Sequence, residues 1–219
     1  MGVVLLVRHG QASFGTEDYD VLSDAGVEQS RVLGRALAGQ GVTPYAVVHG
    51  AMRRQRDTAT AMVEGGGWSV TPELDEGWNE FDHVAVVAQT LDGREFGTDR
   101  RAFQRLFDEA TARWSGGEHD DEYAESWPGF LARANDALDR AFARDGATIV
   151  VSSGGPIAAA AATLIDPRAP TDAVPRLWNA FNTVTANASV TRVLEGSTGR
   201  RLLSFNEHSH LPRELVTYR

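Results

Sequence analysis

Five consecutive apolar residues, Val3 to Val7, lead without a break into Arg8, His9 and Gly10. This junction limits the folds open to the chain more than any other segment does. A continuous aliphatic run has no alternating polar face, so it reads as a strand buried on both sides, as in a parallel sheet covered by helices. Ligands of such open sheets gather outside the carboxyl ends of the strands. Arg8 and His9 are therefore expected at a ligand-facing edge, where a guanidinium can grip an oxyanion and an imidazole can attack it. Gly10 lets backbone and ligand approach closely there. Taken alone, the tripeptide fits an ordinary strand end with a surface histidine equally well.

The pattern then alternates. Ser23 or Asp24 is placed to cap a helix whose apolar residues Val27, Val32, Leu33, Ala36 and Leu37 recur at helical spacing until Gly39. Tyr45 to Val48 reads as a second strand, ending at His49 and Gly50, and a second helix is expected from about Ala51 to the glycines at 65–67. Trp68 to Leu74 predicts a third strand. A mostly helical insertion is expected over about 81–145, broken by the polar stretch from Ser115 to Tyr123. Ala147 to Val151 restores the buried-strand signature, followed by Ser152-Ser153-Gly154-Gly155 and an alanine-rich helix from Ile157 to Leu164. Val184 to Leu194 and Arg201 to Phe205 predict the last strands. Strands alternating with helices imply one α/β domain over 1–219, a three-layer α/β/α sandwich around a largely parallel sheet.

Two missing residue types narrow the chemistry. The chain has no cysteine, which excludes disulfides, thiolate metal sites and cysteine nucleophiles. It also has no lysine: all 21 basic residues are arginine. A P-loop lysine and Schiff-base catalysis are thereby excluded, and any phosphate chemistry must use arginine. A net charge of −9 argues against a nucleic-acid surface. No apolar run reaches the ~20 residues that span a bilayer, so no membrane partner and a cytoplasmic location are expected. No Asp/His cluster has metal-ligand spacing, so neither a metal nor another cofactor is expected.

Three strand ends suit an anion if the sheet is parallel: Arg8-His9-Gly10, the helix start carrying Arg54, and Ser153-Gly154-Gly155. Arg54 lies close enough to its helix N-terminus for guanidinium and backbone amides to face one anion. Arg53, Arg54 and Arg56 also fit a solvated face. Glu76 and Glu80 follow the third strand, and a carboxyl beside Trp78 and Phe81 is a candidate for a raised pKa through desolvation.

Leu6 to Gly10, Leu22 to Gly26 with Gln29, Arg54 followed by Thr58-Ala59, and Val150 to Gly155 together resemble the histidine phosphatase superfamily in its phosphoglycerate mutase-like branch. The resemblance spans essentially the whole chain. It implies that His9 is a nucleophile forming a phosphohistidine, and that Arg8 and Arg54 hold the phosphoryl oxygens. It further implies that a carboxyl, Glu80 first and Glu76 second, protonates the leaving group. Gln11, Ser153 and Gly154 complete the expected phosphate contacts, and the expected ligand is a small phosphorylated substrate or inorganic phosphate.

The chain departs from that pattern in several places. Ser153 stands where members usually carry a second histidine, which weakens transition-state stabilisation unless another group, such as His49, compensates. Gly15 replaces an asparagine and Ala12 a hydroxyl residue. His208 and His210 read as structural or surface residues. Arg94, Arg100, Arg101 and Arg105 read as a solvated helix face rather than a second substrate site, which favours hydrolysis over a mutase reaction. A phosphate-binding module with weak turnover is the alternative to a phosphomonoesterase.

Overall fold

The computed structural model describes residues 2–13, 20–91, 100–165, 170 and 172–218, with the backbone alone at 100 and 101. Gly15, Arg94 and the side chains of Arg100 and Arg101 lie outside them. The elements run β1 (Gly2–Arg8), α1 (Asp24–Gly39), β2 (Ala46–His49), α2 (Arg53–Gly66), β3 (Glu73–Leu74), α3 (His83–Ala88) and α4 (Arg100–Ser115). They continue with α5 (Trp127–Phe142), β4 (Ala147–Ser152), α6 (Gly154–Ile165), α7 (Ala173–Val184), β5 (Val190–Gly196) and β6 (Gly199–Glu207).

The strands form one sheet in the order β3-β2-β4-β1-β5-β6. β3, β2, β4 and β1 are parallel, while β5 and β6 join antiparallel beyond β1. β4 sits between β2 and β1, with Arg8 in register with Ser152 and His49 with Val151. The three strand ends singled out by sequence therefore share one edge.

Side-chain alternation along the central strands separates two cores. Leu5, Val7, Val47, Ile149 and Val151 face Leu33 and Leu37 of α1 and Ala59 and Met62 of α2. Val4, Leu6, Val48 and Val150 face Leu138 and Ala141 of α5 and Ile157 and Ala160 of α6. Both faces of β1 are thus covered, as its unbroken apolar run requires. A third cluster packs Phe81, Trp114, Trp127, Phe130 and Trp178 against the alanines of α6. Among the described residues, no helix is long and apolar enough to cross a membrane.

Ser23 caps α1, its side chain accepting the Gly26 N–H at 3.1 Å. Two strand expectations are corrected. The strand expected over Trp68–Leu74 shrinks to Glu73–Leu74, because Pro72 has no N–H for the ladder and only Val48 and His49 are in register with this segment. The strand expected from Val184 starts instead at Val190. Val184 ends α7, a helix the sequence reading missed, and the chain turns through Ala188 at φ 53° before pairing begins.

α1 and α2 pack closely at Gly34, where an added Cβ would lie 2.1 Å from the Met62 carbonyl oxygen. At Gly39 a Cβ would meet nothing within 4 Å. Gly34→Ala should therefore lower unfolding stability by about 1–3 kcal/mol through overpacking. Gly39→Ala should raise it by up to about 1 kcal/mol through helix propensity. Urea midpoints of the two variants should move in opposite directions.

Candidate active site

His9 emerges from β1 only 4% exposed. Its backbone N–H donates to the Ser152 carbonyl at 2.8 Å, which ties the end of β1 to the end of β4. Its Nδ1 lies 2.7 Å from the Gly10 carbonyl oxygen, and the Arg54 Nε–H donates to its Nε2 at 3.1 Å. A carbonyl on one side and a guanidinium donor on the other admit a single arrangement, with the proton on Nδ1 and the lone pair on Nε2. Burial first, then the charges of Arg54 and Arg8, hold the ring pKa well below its ordinary value of about 6.5; the Gly10 hydrogen bond opposes them.

Arg54 is itself restrained. The Asp20 carboxylate accepts from Arg54 Nη1 at 2.7 Å and from the Arg53 backbone N–H at 2.8 Å. It also receives the Arg54 N–H at 3.4 Å. Amides of the α2 N-terminus and the Arg54 guanidinium thus face one anion, and among the described residues that anion is the Asp20 carboxylate. Thr58 receives the Gly10 N–H at 2.9 Å and donates to the Arg54 carbonyl at 2.7 Å, linking α2 to the histidine loop. Arg8 sends Nη1 to the Thr185 carbonyl, just beyond α7.

A buried polar network backs the loop. The Gln11 N–H donates to Gln29 Oε1 at 2.7 Å, and Gln29 Nε2 donates to the Leu215 carbonyl at 2.7 Å and Thr217 Oγ1 at 2.8 Å. Asn187 Nδ2 donates to the His9 carbonyl at 3.1 Å and its Oδ1 accepts from Thr217 at 2.9 Å. The Gln11 side-chain oxygen accepts from Ser23 at 3.1 Å, which lays this side chain against the start of α1. Gly10 and Gly26 permit the contact: a Cβ on Gly10 would fall 2.4 Å from the Gly26 carbonyl oxygen.

Ser153, Gly154 and Gly155 lie where β4 passes into α6. Glu80 accepts the Gly155 N–H at 3.1 Å on one oxygen and the Phe81 N–H at 3.1 Å on the other. A Cβ on Gly155 would stand 2.0 Å from Glu80 Oε1, so the carboxyl needs glycine there. Burial raises the Glu80 pKa, while the two N–H donors and the charges of Arg54 and Arg8 oppose the rise. Glu76 is exposed in a short 3-10 turn. The structure thus brings Glu80 into the field of both arginines.

His49 is buried, with Nδ1 2.7 Å from the Gly50 carbonyl, and makes no hydrogen bond to His9, Arg54 or Ser153 among the described residues. His210 anchors the neighbouring turn, its Nε2 3.0 Å from the Ala188 carbonyl. Arg105 is exposed, as expected of a solvated face. Asp20, Gln55, His83, Asn187 and Thr217 were missed from sequence. His83, at the first turn of α3, feels the Arg54 charge, which adds to burial in lowering its pKa while Asp82 opposes. Among the described residues, no group of three or more His, Cys, Asp or Glu could hold a metal ion. A cavity of about 660 Å³ between α4, α5 and α7 is lined by Trp127, Leu131 and Trp178 and includes none of the residues around His9.

Fold and site together define an α/β sandwich with a buried histidine at the carboxyl edge of its parallel strands, in the field of two arginines. The family model "Histidine phosphatase superfamily (branch 1)" matches residues 4–208, and the chain belongs to that superfamily. Similar solved structures include a phosphoserine phosphatase mutant from Entamoeba histolytica in complex with phosphoserine, at 19% identity and TM-score 0.68, covering 97% of this chain and 100% of that one. YhfR of Bacillus stearothermophilus matches at 20% identity and TM-score 0.69 over 96% and 99%. A mycobacterial glucosyl-3-phosphoglycerate phosphatase matches at 22% identity and TM-score 0.65 over 94% and 99%. No curated protein matches by sequence.

The lowered His9 pKa fixes the sign of a pH effect. The unfolded chain takes up this proton near pH 6.5 and the folded chain only well below, so His9 contributes stability above about pH 6.5 that is lost as the pH falls. Glu80, with its raised pKa, acts in the opposite sense as pH rises above its ordinary value. Unfolding free energies measured from pH 7 to 5 should therefore fall less steeply in His9→Ala than in the parent protein.

Proposed function

We propose that the protein is a phosphomonoesterase acting through a phosphohistidine on His9. The observation that carries this reading is the Arg54 Nε–H donating to His9 Nε2 at 3.1 Å. It places a fixed guanidinium beside the nucleophilic lone pair, so that a phosphorus approaching Nε2 finds its oxygens next to Arg54. Planar guanidinium groups match phosphoryl oxygens and compensate the charge spread over them during transfer. Arg8, Ser153, Gln11 and the Gly154 N–H complete the cradle; no acceptor pairs with that N–H among the described residues.

In the first step the Nε2–P bond forms as the P–O bond to the leaving group breaks. Glu80, whose protonated form burial favours, gives its proton to the departing alkoxide. In the second step water attacks phosphorus, Glu80 takes the water's proton, and the P–N bond breaks to restore His9 and release phosphate. The complexes of structural relatives with phosphoserine and with inorganic phosphate support a small phosphorylated ligand. The alternative, a phosphate-binding module with weak turnover, draws on the uncharged Ser153.

Phosphate release from p-nitrophenyl phosphate should be abolished in His9→Ala, and a base-stable, acid-labile phosphoenzyme should be trapped in the parent alone. Equal release by the two proteins would sink the assignment; phosphate binding without turnover in the parent would favour the alternative. Glu80→Gln should lower kcat for an alkyl phosphate by about 10²–10⁴. It should affect p-nitrophenyl phosphate far less, because that leaving group needs little help from an acid.

A further inference from the structure

Gln55, next to Arg54 in the first turn of α2, is fully buried and serves neither the helix face nor the apolar core. Its Oε1 accepts the Met52 N–H at 3.4 Å, while its Nε2 donates to the Trp78 carbonyl at 3.3 Å and to Ser153 Oγ at 2.9 Å. Gly50 makes room, since a Cβ there would lie 2.2 Å from Gln55 Oε1. The partners decide the orientation of the amide. Reversed, it would set its oxygen against the Trp78 carbonyl and its hydrogens against the Met52 N–H. Both Nε2 hydrogens are therefore committed, one of them to Ser153.

This has a consequence for the serine. Ser153 is 1% exposed, and its oxygen already accepts from Gln55. Gln55 Nε2 cannot receive a proton in return, and no acceptor for the Ser153 hydroxyl hydrogen is present among the described residues. A buried hydroxyl whose oxygen already accepts one hydrogen bond and whose hydrogen is unused is oriented to donate. It stands one residue beyond Ser152, whose carbonyl receives the His9 N–H at 2.8 Å. We propose that Gln55 is a positioning residue that orients Ser153 as a neutral hydrogen-bond donor to a phosphoryl oxygen held at His9. This rests on the reading of His9 as a phosphate-handling nucleophile. Neighbouring residues of α2 thus serve two strand ends, Arg54 at β1 and Gln55 at β4. The Gln55 amide also fills the space into which a larger side chain at 153 would project.

A double-mutant cycle tests this, read both as kcat/KM for p-nitrophenyl phosphate and as Kd for inorganic phosphate by calorimetry. Gln55→Glu keeps size but turns the partner into an acceptor, so the Ser153 hydroxyl should swing toward it. Ser153→Ala and Gln55→Glu should each lower kcat/KM by about 10–100-fold and weaken phosphate binding. Gln55→Met, of similar volume, removes the donor without adding a charge, and its effect should vanish in the Ser153→Ala background, because Gln55 acts through Ser153; the effect of Gln55→Glu should shrink there to what its added charge costs. A Gln55 effect undiminished in that background would overturn the proposal. If the parent binds phosphate without turnover, coupling in Kd alone would support the Gln55–Ser153 pair while rejecting the esterase reading. Turnover lost in His9→Ala together with an uncoupled cycle would do the reverse.

Discussion

The contact on which the rest of the site depends is the single hydrogen bond from Arg54 to His9 Nε2. A guanidinium cannot give up its proton, so its presence at the ring nitrogen forbids an imidazolium there and reserves the lone pair. The Gly10 carbonyl holds the ring from the other side. Everything nearby restrains one of these two partners: Asp20 and Thr58 fix Arg54, while Gly26, Gln29 and Asn187 fix the loop that carries His9 and Gly10. In the proposed reaction an entering phosphoryl group would part the guanidinium from the ring and find the cation already beside it.

Neutral amides do much of the work that charges do elsewhere. Gln29, Gln55 and Asn187 are fully buried, and each has both its oxygen and its nitrogen engaged. A buried amide costs little only when it is satisfied in this way, and once satisfied it admits one geometry. The same economy governs Glu80. Its carboxyl sits against Gly155 beside the aromatic cluster of Phe81, Trp114 and Trp178, where Phe81 and Trp114 stack at 4.8 Å and the Trp178 Nε1–H donates to the Gly155 carbonyl.

Much of this was legible in the sequence where local chemistry decides. The aliphatic runs of β1 and β4 specify burial on both faces, Ser23 or Asp24 marks a helix start, and residue type draws notice to Arg8 and His9 beside a strand end and to Glu76 and Glu80 near an aromatic pair, with the resemblance ranking Glu80 first. The supporting groups were not legible, because their roles are set by what the chain brings near them. Gln55 lies in an arginine-rich run that reads as a solvated face, and Asp20 is one of several acids in a polar loop. α7 was missed because Pro175 stands in its first turn and its β-branched end, Thr183-Val184-Thr185, resembles the start of a strand. Gln29 offered a signal that went unused: it shares a helical stripe with Leu33 and Leu37, and a polar residue on a core-facing stripe needs a buried partner.

The ties from Gln29 to Leu215 and Thr217 span 186 and 188 residues of sequence, and Asn187 joins the His9 carbonyl from 178 residues away. A ribosome makes β1 well before these anchors. β1 also has to wait for β4 and β5 on either side before its backbone is paired. The loop is thus encoded early and anchored late: the contacts that select the His9 tautomer, from Gly10 and Arg54, come early in the chain, while those that hold its backbone in place wait for residues more than 170 positions further on.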